Sequence, residues 1–217
     1  MADLFSKEEL YLALCKRHGE AKQSQITNAK VAVLGLGGLG SNICMALARL
    51  GVGTILIVDY DKVELTNVFR QHYSLSDVGA YKTERLKRQM LEINPYLTII
   101  SKNVFLTEEN VVELIKDYDI ICEAFDNKET KASIINKILE TYSEKFVISG
   151  NGMAGYKSLN EIRTKRYGNR LFVCGDQKYG IETEQTLMAP RVCACAMHEA
   201  NVVLQLILNN LNEMIEL

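Results

Sequence analysis

Short apolar runs alternate with segments of helical periodicity along most of this chain. Uninterrupted apolar runs are typical of strands that are buried on both faces of a parallel sheet. Such runs predict strands over 30–35, 54–59, 119–122 and 145–149. Leu97, Ile99 and Val104 indicate a further strand after Pro95.

Between these runs, apolar residues recur at helical spacing. This pattern predicts helices over 41–50, 81–93, 108–116, 129–142 and 194–211. Ser6 and Glu9 have the spacing of a capping box and predict a short first helix that ends at Gly19. The alternating order predicts an α/β fold of the Rossmann-like, doubly wound class, with a mainly parallel sheet and helices on both faces.

The pattern changes after Gly150. Apolar and polar positions predict two strands, 159–165 and 171–174, joined by a turn over 167–169. A glycine within such a turn is typical of a β-hairpin. We therefore expect a C-terminal hairpin, appended to the sheet, before the final helix.

The composition is typical of a globular protein and does not indicate a ligand. The 217 residues are 47% hydrophobic and 24% charged with 2 prolines, which excludes disordered, collagen-like and coiled-coil chains. The 25 basic and 27 acidic residues leave a net charge of -2. This balance gives no reason to expect nucleic acid or an anionic membrane as partner.

The N-terminus and the cysteines indicate a cytoplasmic protein. The first ten residues lack the apolar segment of a signal peptide. The longest uncharged stretch, 31–48, contains four glycines with Ser41 and Asn42, which suits a strand, turn and helix better than a membrane span. Six cysteines are too few for a secreted disulfide scaffold, so we expect reduced thiols.

A glycine-rich turn separates the first predicted strand from the next helix. Gly35, Gly37 and Gly40 satisfy G-x-G-x-x-G, with Gly38 between them, and such a turn lets backbone N–H groups approach phosphate oxygens. Asp59 ends the second predicted strand, where a carboxylate can hold ribose hydroxyls. The alternative is a turn that serves only tight packing of strand on helix.

This pattern alone does not separate a nicotinamide dinucleotide from ATP. The loop after Asp59 contains Asn67, Arg70 and Gln71, and Lys82 follows at a helix start. A triphosphate benefits from such donors and charges, whereas nicotinamide binding does not require them. Taken singly, Arg70 and Lys82 are also typical of solvated surface cations.

Asp126 follows the fourth predicted strand, at the edge of the sheet where ligands bind in open α/β folds. One carboxylate beside a polyphosphate is enough for Mg²⁺, which takes its other ligands from phosphate and water. Asp126 is also a plausible N-cap of the helix that contains Lys131. The two roles are compatible.

These residues resemble the ThiF/MoeB/HesA superfamily, in particular its short ThiF-like branch. The resemblance is carried by five segments: GLGGLGS at 35–41, GVGTILIVDYDKVELTNVFRQ at 51–71, Lys82, Ile93-Asn94-Pro95, and Asp126-Asn127. Weaker similarity continues through Gly150 to Gly155 and Ala189-Pro190-Arg191. The resemblance implies ATP-dependent adenylation of the C-terminal glycine of a ubiquitin-like, ThiS-like sulfur-carrier protein, with release of pyrophosphate.

By position, the resemblance also implies roles for single residues. It implies phosphate contact for Gly38, ribose contact for Asp59, triphosphate contacts for Asn67, Arg70 and Lys82, and Mg²⁺ at Asp126 beside Asn127. We take Arg70, Lys82 and Asp126 as catalytic. The whole candidate site is Gly35, Gly37, Gly38, Gly40, Asp59, Asn67, Arg70, Gln71, Lys82, Asp126 and Asn127.

Three departures from the family pattern concern zinc, an arginine and a thiol. No two cysteines have the C-x-x-C spacing of the family's zinc site, so zinc is not expected. An alternative metal set could consist of Cys193, Cys195 and His198 with Cys174; the other interpretation is that these are ordinary residues. The arginine that relatives extend to the partner subunit's ATP has its best substitute in Arg17, which also suits a solvated helix end. Cys174 is either a thiol for a covalent carrier link or a buried strand-end thiol.

The expected organisation is one ThiF-like domain over 1–217. It comprises a helical extension (1–27), a nucleotide-binding core (28–150), and a C-terminal part (151–217) with the hairpin, a tail-binding loop and the last helix. We expect a homodimer, as in relatives, with a Gly-Gly-ending carrier as partner, in thiamine or related cofactor biosynthesis. The alternatives are an enzyme that activates a tRNA-modification carboxylate, an NAD-binding oxidoreductase, and a non-catalytic carrier-binding scaffold of the same fold.

Overall fold

The computed structural model describes residues 5–180, 184, 186–209 and 211. Its strands are β1 (Lys30–Leu34), β2 (Thr54–Asp59), β3 (Thr98–Asn103), β4 (Ile120–Glu123), β5 (Phe146–Gly150), β6 (Arg163–Tyr167) and β7 (Leu171–Gly175). Its helices are α1 (Lys7–His18), α2 (Glu20–Asn28), α3 (Gly38–Leu50), α4 (Lys82–Ile93), α5 (Glu108–Ile115), α6 (Lys128–Thr141) and α7 (Ala189–Leu208).

One sheet of seven strands runs through the fold in the order β3-β2-β1-β4-β5-β7-β6. All neighbouring pairs are parallel except β6 with β7, which form the predicted antiparallel hairpin. The sequence-based prediction of a Rossmann-like, mainly parallel sheet is therefore confirmed. The chain reverses its direction of winding between β1 and β4, and the carboxyl ends on either side of such a switch point form a natural crevice.

Each face of the sheet is covered by its own hydrophobic core. Alternate residues of β1 belong to the two different cores. Val31 and Val33 pack with α3, α4 and α7, whereas Ala32 and Leu34 pack with α5 and α6. Helix α3 lies against α7 within the same chain, and eight of its thirteen residues are buried. The apolar pattern of α3 is thus accounted for by packing inside one subunit.

Two helix boundaries and one strand boundary differ from the prediction. Helix α3 begins at Gly38 instead of Ser41, because the last glycines of the turn already form its first residues. Helix α7 begins at Ala189 instead of Ala194, with Pro190 in its first turn, a position where the missing N–H of proline has no cost. Residues Leu159–Glu161 form a 3₁₀ turn, so strand β6 begins only at Arg163.

Helix α2 was not predicted. Its sequence, EAKQSQITN, is polar, and only Gln23 and Ile26 are buried. The predicted first helix, in contrast, is confirmed: both bonds of the Ser6–Glu9 capping box form, and α1 ends at Gly19.

Helix α7 is long and apolar enough, by length and composition, to cross a membrane. It packs against α3 and the sheet, however, and 56% of its most apolar 18-residue stretch is buried inside the protein. Its hydrophobicity is explained by this position in the core.

Candidate active site

A cavity of about 940 Å³ opens at the carboxyl edge of the sheet. We call it the site cavity. It extends from the ends of β1 and β2, across the segment between β4 and α6, to the end of β5 and the segment after β7. It is lined by ten of the eleven candidate residues: Gly35, Gly37, Gly38, Asp59, Asn67, Arg70, Gln71, Lys82, Asp126 and Asn127.

The eleventh candidate, Gly40, does not line the site cavity, and its place in cofactor binding stays a prediction. A Cβ atom at Gly40 would lie 1.8 Å from the backbone oxygen of Gly35, so this glycine allows helix α3 to pack against the turn. Gly35 has a left-handed backbone, with φ of 91°, and lies against the backbone of Ala124. A Cβ atom at Gly37, in contrast, would lie in ordinary van der Waals contact, 3.9 Å from Gln71 Nε2.

The turn presents the N-terminus of α3 to the site cavity. Gly37 is the N-cap residue and has no side chain to bond the first N–H groups of the helix. Unsatisfied N–H groups at a helix N-terminus, together with the helix dipole, favour an anion such as phosphate. This geometry agrees with the predicted phosphate contact of Gly38.

Asp59 connects the end of β2 to the glycine turn. Its Oδ2 accepts a hydrogen bond from the Leu36 N–H (2.6 Å) and its Oδ1 accepts one from the Asp61 N–H (2.8 Å). Burial raises the pKa of this carboxyl group above its usual value. Asp59 therefore has a structural role in fixing the turn, and its contact with a ribose stays a prediction.

The two predicted amides lie on the polar loop after β2. The Oδ1 of Asn67 accepts a hydrogen bond from the Glu64 N–H (3.0 Å), which fixes the loop's 3₁₀ turn. Gln71 is buried beside Gly37, and within the described part of the chain its Oε1 has no hydrogen-bond partner. A buried acceptor without a partner is costly, so it is a good position for a ligand donor.

The two predicted cations, Arg70 and Lys82, face the site cavity from neighbouring segments. Arg70 is half-buried, and its Nη1 donates to the Thr66 carbonyl (2.9 Å). Lys82 is buried, and its Nζ donates to the Asp61 carboxylate (2.7 Å). Sequence reasoning missed Asp61, although its place two residues after Asp59 was a usable signal.

The N-cap role considered for Asp126 belongs to its neighbour Asn127. The N-cap of α6 is Asn127, whose side chain accepts from the Thr130 N–H (2.9 Å), and not Asp126. Asp126 is exposed at the wall of the site cavity, and no described residue pairs with its carboxylate. An uncommitted carboxylate beside a phosphate-binding turn fits the requirements of Mg²⁺.

A second polar group, which sequence reasoning missed, lies at the carboxyl ends of β4 and β5, beside the site cavity. Lys131 Nζ donates to Glu123 Oε2 (2.6 Å) and to Ser149 Oγ (3.1 Å), and Ser149 in turn donates to the same carboxylate (2.7 Å). The other oxygen, Glu123 Oε1, accepts from the Phe125 N–H. We call Glu123, Lys131 and Ser149 the β4–β5 polar cluster.

Behind this cluster lies the buried carboxyl group of Glu199 on α7. Burial, together with the nearby charge of Glu123, raises its pKa well above the usual value, and Lys131 opposes this effect only in part. The Cys195 thiol is 3.8 Å from Glu199 Oε1 and 3.3 Å from the Cys174 carbonyl. Burial thus favours the neutral acid of Glu199 behind the cluster.

The alternative metal set is not assembled among the described residues, and Cys174 is not an accessible nucleophile. Cys174 is fully buried, which contradicts its role as a thiol for carrier linkage and agrees with the strand-end alternative. Cys193 contacts Asn42, on the side of α7 that faces α3, whereas Cys195 contacts Cys174. No three His, Cys, Asp or Glu residues in the described chain are grouped to hold a metal.

Arg191 and Asp176 form a buried ion pair that joins α7 to the segment after β7. Arg191 also donates to the carbonyls of Lys157 and Ser158, and Asp176 accepts from the N–H groups of Lys178 and Tyr179. These bonds fix both loops beyond β5 and β7. In the predicted tail-binding segment 175–186, positions 181–183 and 185 lie outside the described residues.

Arg17 is exposed in the last turn of α1. Its action across a dimer stays a prediction.

Fold and site together define a nucleotide-binding α/β protein. Its glycine turn lies at the switch point of a parallel sheet, with cations and an uncommitted carboxylate around the same cavity. The chain belongs to the ThiF family, whose sequence profile matches residues 11–215. The ThiF/MoeB superfamily assignment made from the sequence is confirmed.

Curated relatives share the core of the chain. A tRNA threonylcarbamoyladenosine dehydratase of Bacillus subtilis is 39% identical over 143 residues, which is 64% of this chain and 54% of that protein. The probable adenylyltransferase/sulfurtransferase MoeZ of Mycobacterium tuberculosis is 37% identical over 137 residues, or 60% and 34%. The chain thus matches between a third and about half of the length of these relatives.

Solved structures show the same fold. E. coli tRNA N6-threonylcarbamoyladenosine dehydratase, TcdA, crystallised with ATP, has a TM-score of 0.83 at 20% identity and covers 95% of this chain and 98% of its own. E. coli MccB with AMPCPP and MccA has a TM-score of 0.66 at 25% identity, covering 88% of this chain and 59% of that one.

Proposed function

We propose that this protein is an ATP-dependent adenylyltransferase that activates the C-terminal glycine carboxylate of a ubiquitin-like sulfur-carrier protein. The proposed carrier is ThiS-like and ends in Gly-Gly, and the product serves thiamine or related sulfur-cofactor biosynthesis. Relatives named as adenylyltransferases support the class of reaction, among them a sulfur carrier protein adenylyltransferase of Thermus thermophilus, 35% identical over 52% of this chain.

One observation carries the proposal. Around a single cavity the fold gathers a phosphate-binding turn, two cations and one uncommitted carboxylate, provided by Gly37, Gly38, Arg70, Lys82 and Asp126. A nicotinamide dinucleotide does not require this second set of charged groups, whereas a triphosphate with a metal ion does. ThiF family membership also favours the adenylyltransferase over the oxidoreductase.

The reaction needs no general base, since a carboxylate is already a nucleophile. One carboxylate oxygen forms a bond to the α-phosphorus of ATP, the bond from that phosphorus to the bridging oxygen breaks, and pyrophosphate leaves with the electron pair. The products are an acyl-adenylate and pyrophosphate. Catalysis then depends on positioning and on stabilising the charge that develops on the phosphoryl oxygens.

Different residues of the site cavity serve positioning and charge stabilisation. The N-terminus of α3 and the Lys82 ammonium hold the phosphates, and Arg70 offers paired donors to the same charge. Asp126 would hold Mg²⁺, which supplies further charge neutralisation when bound. The segments after β5 and β7, which line the other end of the site cavity, are placed to receive the carrier's tail.

Exchange of labelled pyrophosphate into ATP, in the presence of a Gly-Gly-ending carrier, tests the proposal. We expect exchange by the unaltered protein and about a hundredfold loss in each of Arg70→Gln, Lys82→Met and Asp126→Asn, as for other charge-stabilising groups. Arg88→Gln and Lys137→Met, on residues outside the site cavity, serve as controls and should retain activity. Carrier binding without exchange would instead support a non-catalytic scaffold.

A second candidate is activation of a carboxylate on modified tRNA. The dehydratase of B. subtilis is the observation that favours it. Mass spectrometry distinguishes the two candidates, since the first predicts an AMP adduct on the carrier's terminal glycine and the second predicts dehydration of tRNA bearing threonylcarbamoyladenosine.

We also propose that the protein acts as a homodimer. Leu65, Phe69 and Leu75 are exposed on the loop that carries Arg70, and such apolar exposure beside a site is typical of a surface that is covered in an assembly. Sedimentation analysis tests this, with a monomer at micromolar concentration contradicting it.

A further inference from the structure

The β4–β5 polar cluster reaches the site cavity through Lys131 and Ser149, and it has no part in holding the nucleotide as described above. We propose that the Lys131 ammonium binds the terminal carboxylate of the incoming polypeptide and positions it for attack on the α-phosphorus. This inference rests on the proposed adenylation and assigns to Lys131 a substrate-binding role in it.

The position of Lys131 is the first argument. The residues expected to hold nucleotide follow β1, β2 and β4, whereas Lys131 contacts Ser149 on β5, the next strand of the sheet. Lys131 therefore lies between the phosphate-binding turn and the segments proposed to receive the tail. A carboxylate that attacks the α-phosphorus has to occupy this intermediate position.

The hydrogen-bonding capacity of Lys131 is the second argument. An ammonium group has three N–H donors. Two of these are directed to Glu123 Oε2 and Ser149 Oγ, which leaves one donor for a ligand. The Lys131 side chain is 18% exposed and lines the cavity, whereas that of Glu123 is 0% exposed. Glu123 and Ser149 thus hold the ammonium from behind, and its accessible side faces the cavity.

The charge around Lys131 is the third argument. From Ser149 onward, the described residues that line this end of the cavity include no Asp or Glu, whereas Lys178 contributes a second cation. Glu199 lies behind the cluster, and its burial favours the neutral acid. A substrate carboxylate therefore competes with Glu123 for the Lys131 ammonium, but no described residue that lines this end of the cavity adds a second competing acid.

A purely structural ion pair between α6 and β4 would give the same contacts. The two roles differ in what they predict for a substrate that lacks the terminal charge. If Lys131 binds the carboxylate, its removal should abolish the preference for a free acid over a neutral amide. If the ion pair is only structural, its removal should weaken binding of both substrates equally or change only the stability of the fold.

The experiment measures binding of a six-residue peptide that ends in Gly-Gly, prepared as the free acid and as the C-terminal amide. Titration calorimetry with AMPCPP present avoids any dependence on turnover. We expect the unaltered protein to bind the acid about tenfold more tightly than the amide, as befits one charge-assisted hydrogen bond. Lys131→Met should bind both peptides alike, Lys131→Arg should restore part of the preference, and Lys137→Met, on the same helix outside the cavity, should retain it.

Lys131→Met leaves Glu123 buried without its partner, so the double variant Glu123→Gln, Lys131→Met provides a second test in a fold without that unpaired charge. It too should bind acid and amide alike. An undiminished preference for the acid in either variant would overturn the inference and leave the proposed adenylation intact. If the unaltered protein binds AMPCPP but does not prefer the acid, the inference and the proposed peptide substrate both fail.

Discussion

The Lys82 ammonium is bound to the Asp61 carboxylate over 2.7 Å at the wall of the site cavity. The Lys82 side chain is 7% exposed and that of Asp61 is 45% exposed, so the pair joins an enclosed cation to a partly solvated anion. Asp61 thus binds the same ammonium group that, in the proposed function, binds the triphosphate. It therefore positions Lys82 and competes with the nucleotide for it.

Asp61→Asn should lower the KM for ATP. The amide keeps a hydrogen-bond acceptor near Lys82 but removes the competing charge, and because a partly solvated ion pair is worth less than about 1 kcal/mol, we expect an effect of about threefold. ATP–pyrophosphate exchange at varied ATP concentration measures it. An increase in KM would show that Asp61 acts by positioning Lys82 alone.

Substitution of alanine at two glycines of the same turn should affect the stability of the protein very differently. Gly40→Ala places its Cβ 1.8 Å from the Gly35 backbone oxygen, so we expect a loss of at least about 3 kcal/mol in unfolding free energy. Gly37→Ala meets no described atom closer than 3.9 Å and should leave stability nearly unchanged.

Gly37→Ala should nevertheless weaken ATP binding about tenfold, because the methyl group obstructs approach of the backbone to phosphate. Urea unfolding and nucleotide titration of both variants separate the two effects. Unimpaired ATP binding by Gly37→Ala would contradict the assignment of this turn to phosphate.

The sequence was sufficient for the fold class and for most of the elements because its signals are local. Uninterrupted apolar runs, a capping box at Ser6 and a glycine turn at Gly35 each act over a few residues, and parallel α/β connections restrict how such elements assemble. The predicted site residues are brought together for the same reason, since nearly all of them follow the carboxyl ends of parallel strands.

What the sequence did not disclose depends on contacts between distant elements. The bond from Lys131 to Ser149 joins residues 18 positions apart, and Glu199 reaches the same cluster from the last helix. No periodicity relates these positions. The burial of Cys174, likewise, follows from its covering by α7 and not from the local pattern around it.

Removing the buried Arg191 should destabilise the protein strongly. Arg191→Met leaves Asp176 buried without its charged partner and removes two bonds to the Lys157 and Ser158 carbonyls, so we expect a loss of about 3 to 5 kcal/mol. Arg88→Met, which disrupts a surface pair with Glu92, should change stability little. Urea unfolding measures both, and equal midpoints would show that the buried pair adds nothing to the fold.

Glu199 should make the protein less stable as the pH rises. Its pKa in the folded protein lies well above the ordinary value of 4.5, because it is fully buried. Above pH 4.5 the unfolded chain therefore loses a proton that the folded protein retains, and unfolding becomes more favourable with each pH unit until the folded pKa is reached.

Glu199→Gln removes this titrating group, so the variant should gain stability relative to the unaltered protein as the pH rises above 4.5, by up to about 1.4 kcal/mol per pH unit until the folded pKa is reached. The neutral amide should be tolerated because burial already favours the neutral acid in the folded site. Urea unfolding at several pH values measures the difference, with Glu113→Gln as an exposed control. A difference that stays constant from pH 5 to pH 8 would mean that Glu199 is ionised in the folded protein, and the inference that burial favours its neutral acid behind Lys131 would be wrong.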